Sequence, residues 1–369
     1  IDRDVQWVAQ NAISQAVASS RAKSGTVIVM DPKTGAILAQ ASAPTFDPNI
    51  SSSITLEKLK NPAVQEVYEP GSTGKVITVA AAMQEGLISP DTIFTIPYSM
   101  KVSDGVFSDH EKHPTQRLTT TGLLAVSSNT GSIQIGQKLG KDNLYDYLRK
   151  FGIGESTNSK LPGESVGILH PVKDWSGTSL PTISFGQGYS VTAMQSTSVF
   201  ATIANDGVRV KPSILAGVVD ESGKYTPAKP NESIKVLSAE TAINLRAMME
   251  SVVSKDGTAP TAAIPGYRVA GKTATANRYN DICGCYSGFT ASFIGFAPSD
   301  APRYVISVTI QDPKGMHWGG VLGGPVFKKV MSFVLQSRHI APTGTAFVPV
   351  PLDKKALAAK KAQDATANN

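Results

Sequence analysis

Three short stretches carry residues whose types could attack and release an acyl group. "EPGSTGK" places Ser72 three residues before Lys75, "SSNTG" supplies Ser127 and Asn129, and "AGKTATA" supplies Lys272, Thr273 and Thr275. On a helix, positions three apart share a face, with Cβ atoms roughly 5–6 Å apart. Ser72 and Lys75 therefore address one spot, and the apolar run that follows keeps it poor in water. A serine hydroxyl is a weak nucleophile and needs a neighbouring base. No histidine lies within the three stretches, which leaves lysine. The pKa of a free lysine would have to fall by about three pH units, about 4 kcal/mol, for it to serve as a base near neutrality. Burial in an apolar helix and a second ammonium, from Lys272, both push that way. Each stretch also has a plain structural reading. Ser72 could cap a helix while Lys75 reaches solvent. Ser127 with Asn129 could be another cap, and Lys272 a charge protecting a strand edge. Together and in this order, the three favour chemistry.

The elements that must position these residues follow from the apolar pattern. Residues 3–20 predict a helix with Val5, Val8, Ala9, Ala12, Ile13 and Ala16 on one face. "GTVIVMDPKTGAILAQAS" predicts a hairpin, and 43–68 a polar loop. Helices are predicted over 118–139, 143–151, 190–205 and 237–253. Three strands follow in "YRVAGKTATA", "SGFTASFIGFAP" and "RYVISVTIQDP", and a last helix in "GGPVFKKVMSFVLQ". Two strands open the chain and three close it, an order that argues against βαβ units. The expected fold class is α+β: a mainly antiparallel sheet, N- and C-terminal strands adjacent, covered by helices on both faces. Residues 1–339 form one domain, with the sheet from 22–45 and 265–338 and a helical part at about 60–255. Residues 340–369, rich in Pro, Ala and Lys, read as an extended or disordered tail.

Composition bounds the setting. Of 369 residues, 41% are hydrophobic and 17% charged, as in a folded globular protein. A formal charge of +6 suits an anionic surrounding such as a cell wall, a membrane surface or nucleic acid. Without an arginine-rich run, nucleic acid is not expected as a partner. No apolar stretch reaches the roughly 18 residues of a membrane span, and a chain opening on Ile1 reads as a processed or recombinant fragment. Cys283 and Cys285, in "ICGCY", are either paired or free and lack the partners of a zinc site. His110, Glu111 and His113, in "SDHEKH", read as a polar surface loop and not a metal site. Gly186–Gly188, in "GQG", reads as a tight turn near the floor of the site and not a phosphate loop. No cofactor is expected.

The ordered set S-x-x-K, S-x-N and K-T-x resembles the motifs of penicillin-binding proteins. With "YEPGST", "DGTAPTAAIPGYRVAGKT" and "WGG…GGPVF", the chain from Ile1 to Arg338 resembles the transpeptidase domain of a class B penicillin-binding protein, most closely the cell-division kind. That resemblance implies a penicillin-binding, serine β-lactamase-like fold with a helical subdomain. It implies a peptidoglycan D,D-transpeptidase that forms an acyl-enzyme on Ser72 and is inhibited by β-lactams. Lys75 would be the base, and Ser127 would pass a proton to the leaving amine. Asn129 would bond the donor peptide, and Lys272, Thr273 and Thr275 would meet a terminal carboxylate. The backbone N–H groups of Ser72 and Thr275 would form the oxyanion hole. Implied partners are stem peptides ending in D-Ala-D-Ala, β-lactams, divisome proteins and a glycosyltransferase partner of the full-length protein. The implied place is the extracytoplasmic face of the plasma membrane, with an N-terminal transmembrane anchor outside this chain. Alternatives are a D,D-carboxypeptidase, a β-lactamase, a β-lactam-sensing receptor domain or a non-catalytic scaffold. Glu155 and Glu164 stand in no recognisable deacylation motif. Two positions depart from the pattern: Ala274 replaces the glycine of K-T-G and adds a methyl group, and Gly74 replaces a bulky apolar residue and should leave space beside the nucleophile.

Overall fold

In the computed structural model, which describes residues 1–280 and 283–367, the amphipathic opening segment forms helix α1 (Arg3–Ser20). Asp2 caps it by accepting the N–H groups of Asp4 and Val5. The hairpin sequence forms β1 (Ser24–Met30) and β2 (Ile37–Ala43). Helix α2 (Lys75–Gln84) is buried from Lys75 to Ala82, as a helix apolar on every side must be. Then come α3 (Thr120–Ala125), α4 (Asn129–Leu139), α5 (Lys141–Lys150), α6 (Ala193–Ala204) and α7 (Ala239–Val253). Strands β3 (Ala270–Asn280), β4 (Cys285–Ala297) and β5 (Tyr304–Gln311) precede α8 (Gly319–Ser337) and α9 (Lys354–Ala367).

The five strands lie in the order β3-β4-β5-β1-β2. All neighbours are antiparallel, with Val27 opposite Val308 and Lys272 opposite Ile294. The strands that open the chain thus sit beside those that close it. One face packs Val5, Ile13, Phe327 and Leu335 of α1 and α8 against Val27, Ala41, Phe293 and Val308. The other packs Val76, Val79, Phe200, Ile203 and Met248 of α2, α6 and α7 against Ile28, Ile294 and Phe296. A sheet covered on both faces needs strands without polar alternation, and β5 buries every residue. β3 is an edge strand of the sheet.

Three expectations need correction. The helix expected over 118–139 is interrupted: Gln116–Thr119 is a strand paired with Ile93–Ile96, and α3 ends before Ser127, which has a φ of 63°. The helical part also carries two-stranded ribbons, such as Ser99–Val102 with Gly105–Ser108. The tail is extended only to about 352; Lys354–Ala367 is helical and buries Leu357. The tail runs against the rest of the chain, where Leu352 O accepts the Thr119 N–H at 3.0 Å and Pro351 O accepts the Thr119 hydroxyl at 2.6 Å. A Cβ on Gly122 would lie 1.8 Å from Leu352 O, so this crossing requires glycine there.

Candidate active site

Ser72 stands in a single 3-10 turn, Gly71–Thr73, that leads into α2, and is not inside the helix itself. The turn approaches the loop at Gly186 closely: Gly71 N–H donates to Gly186 O at 2.8 Å. Gly186 and Gly188 have φ of 96° and 75°, so "GQG" is the tight turn expected beneath the site. Ser72 is half-buried at the surface of the cleft, whereas Lys75 is fully buried.

Lys75 Nζ donates to Ser127 O at 2.5 Å, to Asn129 Oδ1 at 2.7 Å and to Ser127 Oγ at 3.3 Å. Lys272, also fully buried, donates to the same Ser127 Oγ at 2.8 Å and to Thr273 O at 3.2 Å. The Ser127 hydroxyl therefore lies between two lysine Nζ atoms, one from α2 and one from β3. Burial pulls the Lys75 pKa down to about 7, against the opposing charge of Asp109. Burial also holds Lys272 well below the ordinary lysine range, with the charge of Lys75 adding to it. Among the described residues no hydrogen bond joins Lys75 to Ser72. As an ammonium, Lys75 has an acceptor for each of its donors; only after losing a proton does it have a lone pair to offer.

Asn129 Nδ2 donates to Ser108 O at 2.9 Å while its Oδ1 faces Lys75. Each end of the amide keeps one position for a peptide. Thr273 Oγ1 bonds Thr258 Oγ1 at 2.8 Å, and Thr275 Oγ1 accepts the Gly319 N–H at 3.1 Å. Strand alternation sets Lys272, Ala274 and Ala276 on the other face. A Cβ on Gly71 would meet Ala276 Cβ at 2.9 Å and Ala274 Cβ at 3.5 Å, so the methyl group of Ala274 abuts the nucleophile turn. The space expected beside Gly74 is not open. A Cβ there would lie 2.4 Å from Tyr189 Oη and 2.9 Å from Gly186 Cα.

Asp109, which the motifs do not reveal, organises the second stretch. Its buried carboxylate accepts the N–H groups of Asn129 at 2.5 Å and Thr130 at 2.9 Å, and the Ser128 hydroxyl at 2.8 Å. Ser128 in turn caps α4 by accepting the Gly131 N–H. A carboxylate at a helix N-terminus is favoured by the helix dipole as well. His113 Nε2 bonds Asp109 Oδ2 at 3.0 Å, and its pKa is raised by the Pro114 carbonyl and then by Asp109. "SDHEKH" is thus more than a surface loop, although His110 and Glu111 are exposed. Glu69 was also missed. Its Oε1 accepts Gly188 N–H at 2.9 Å and Tyr286 Oη–H at 3.0 Å, and burial raises its pKa. Cys283 and Cys285 are joined in a disulfide at the start of β4.

Residues 25–332 match the penicillin-binding protein transpeptidase domain model, and the chain belongs to that family. It is 40% identical over 353 residues to penicillin-binding protein PbpB of Mycolicibacterium smegmatis, covering 93% of this chain and 54% of that one. It is 34% identical to peptidoglycan D,D-transpeptidase FtsI of Escherichia coli, covering 93% and 56%. Among solved structures, penicillin-binding protein 3 of Mycobacterium tuberculosis, complexed with ampicillin, is 38% identical with a TM-score of 0.90, covering 95% of this chain and 80% of that one. The chain spans about half the length of the curated relatives it matches.

Proposed function

We propose that this chain is a serine D,D-transpeptidase that cross-links peptidoglycan stem peptides during septal wall synthesis and is acylated by β-lactams. The observation that carries the reading is the Ser127 hydroxyl held between two desolvated lysines beside the Ser72 turn. Neutral Lys75 takes the Ser72 proton as Oγ attacks the carbonyl of the penultimate D-alanine. The developing oxyanion is met by the N–H groups of Ser72 and Thr275, where fixed donors act most strongly. The proton passes through Ser127 to the departing amine of the last D-alanine, leaving an ester on Ser72. An amine from a neighbouring strand then attacks that ester, and the proton it sheds returns along the same route to the Ser72 oxygen. The hydroxyls of Thr273 and Thr275 meet the terminal carboxylate, Lys272 adds its charge from its place on Ser127 Oγ, and Asn129 holds the donor backbone.

The names of the relatives support the reaction class. We extend the proposal to the full-length protein: a place at the outer face of the plasma membrane, an N-terminal membrane anchor, and divisome and glycosyltransferase partners, as the resemblance to a cell-division penicillin-binding protein implies. We take residues 1–339 as the catalytic domain and the remainder as a tail folded back on it. A β-lactamase is disfavoured because both candidate carboxylates are committed elsewhere. Glu155 pairs with Arg209 at 2.6 Å, and Glu164 accepts the Thr157 N–H at 2.7 Å. Intact-mass measurement after penicillin treatment tests the proposal. One adduct of the mass of penicillin is expected, persistent over hours and absent in Ser72→Ala. An adduct that survives that substitution removes Ser72 as the nucleophile; rapid loss of label from the parent indicates a lactamase.

A further inference from the structure

We propose that Tyr189 is a positioning residue for the nucleophile turn, its phenol standing in for the side chain that residue 74 lacks. This rests on reading Ser72 as the nucleophile. The turn Gly71–Thr73 has no side-chain cap, and Gly74, which follows it, has none either. What lies against it is the segment after "GQG". The two segments are stitched at both ends, by Gly71 N–H to Gly186 O at 2.8 Å and by the reciprocal Tyr68–Val191 pair at 3.0 and 2.9 Å. Between these ties, Tyr189 is 2% exposed and brings Oη to 2.4 Å from where a Cβ on Gly74 would be.

Among the described residues that hydroxyl has no hydrogen-bond partner. A buried hydroxyl without a partner is a cost to the fold, so hydrogen bonding does not account for it. Its volume does: oxygen fills the place of the missing carbon. A small cavity beside it is lined by Thr73, Gly74, Ile77, Tyr189, Ser196 and Phe200, so the turn has room to move on that side if the phenol is cut back. Shrinking the phenol or adding a carbon at residue 74 would each move Ser72 relative to Lys75 and Ser127.

The test measures the acylation rate constant and the non-covalent dissociation constant for penicillin separately, in the parent, Gly74→Ala, Tyr189→Phe and the double variant. Displacing a reacting group by about 1 Å can cost 10²-fold, so Gly74→Ala should acylate about 10²-fold more slowly and Tyr189→Phe roughly three- to tenfold. In the double variant a methyl group replaces the hydroxyl, and acylation should be faster than in either single variant. The dissociation constant should stay within about threefold throughout, because a positioning residue acts on the step and not on binding. A double variant no faster than the slower single overturns the proposal. So do single variants that melt lower yet acylate like the parent. If Gly74→Ala does not fold, Tyr189→Phe and Tyr189→Leu decide it: the rate must fall, and further in Leu, at an unchanged dissociation constant. A parent that takes no label at Ser72 overturns the catalytic reading together with this one; a labelled parent without coupling overturns this one alone.

Discussion

The two turns that meet in the cleft are held by opposite means. The Ser127 turn is fixed by charge and hydrogen bonds, with Asp109 and Ser128 on the α4 side and Lys75 and Lys272 on the other. The Ser72 turn has no charged support: the Thr73 hydroxyl donates to Pro70 O at 2.7 Å, Gly71 N–H donates to Gly186 O at 2.8 Å, and Gly74, Gly186 and Tyr189 approach closely. The bonded turn can hold a strained residue: Ser127 has a φ of 63°, a left-handed conformation that costs a non-glycine residue of order 1–3 kcal/mol. The packed turn leaves its serine unbound, since Ser72 Oγ makes no hydrogen bond among the described residues. The division suits the roles proposed for them. A proton relay must keep its place through the cycle, whereas a nucleophile must become an ester and then a hydroxyl again.

Lys75 belongs to both turns, because its backbone opens α2 and its ammonium holds Ser127. Lys75→Ala should therefore have the largest effect, slowing acylation by about 10²–10⁴-fold, the usual worth of a general base, with a smaller change in initial binding. Because the base must be neutral, acylation by the parent should fall as pH drops below about 7, where Lys75 takes up its proton. A profile flat across that range would remove Lys75 as the base.

Asp109→Ala breaks the bonded turn. It leaves the Asn129 and Thr130 N–H groups and the Ser128 hydroxyl without their acceptor, and unpaired buried groups cost about 1–3 kcal/mol. Denaturant unfolding should report that loss. The acid limb of the acylation profile should move to lower pH, because the Asp109 charge now raises the Lys75 pKa. Parent stability in this variant would mean that the turn holds itself.

Ala274→Gly loosens the packed side, where the Ala274 methyl group faces Gly71. Acylation should be at least as fast as in the parent, more so for a bulky β-lactam than a small one. Glycine in a strand should cost up to about 1 kcal/mol of stability. A uniform fall in rate would assign the alanine to strand geometry. The smallest effect belongs to His113→Gln. The raised His113 pKa means that its charged form is favoured by folding. Its contribution is complete below about pH 6.5 and disappears as pH rises through the folded value. The margin in melting temperature between parent and variant should be constant below about pH 6.5 and shrink as pH rises above it; a margin constant throughout would sink the assignment.

The reacting groups were legible in the sequence because serine, lysine and asparagine at short fixed spacings have few other joint uses. The sheet was legible because its strands are long apolar runs bounded by turn residues. Their supports were not. Asp109 reaches Asn129 across twenty residues, and Tyr189 reaches Gly74 across more than a hundred, distances over which periodicity carries nothing. The break at Ser127 falls in Ser-Ser-Asn-Thr-Gly, residues that favour caps over helix interiors, so a local signal for it was present and the prediction of one helix passed over it. The α9 helix was read as loose tail because its few apolar residues suggested no partner. Alanine and lysine are strong helix formers, and burial of Leu357 supplies the contact.

The pairing of β1 with β5, Val27 opposite Val308, sets an order of events on the ribosome. β1 and β2 emerge with one edge of their ribbon unmatched, and the partner for that edge follows some 280 residues later. At about 5–20 residues per second of synthesis, that interval is on the order of tens of seconds. An unpaired apolar strand edge is a template for pairing with another chain, so the exposed interval belongs to whatever shields nascent chains. The same arrangement means that a chain divided anywhere between β2 and β3 yields two pieces with two and three strands, and neither holds both Ser72 and a finished sheet unless the pieces reassemble.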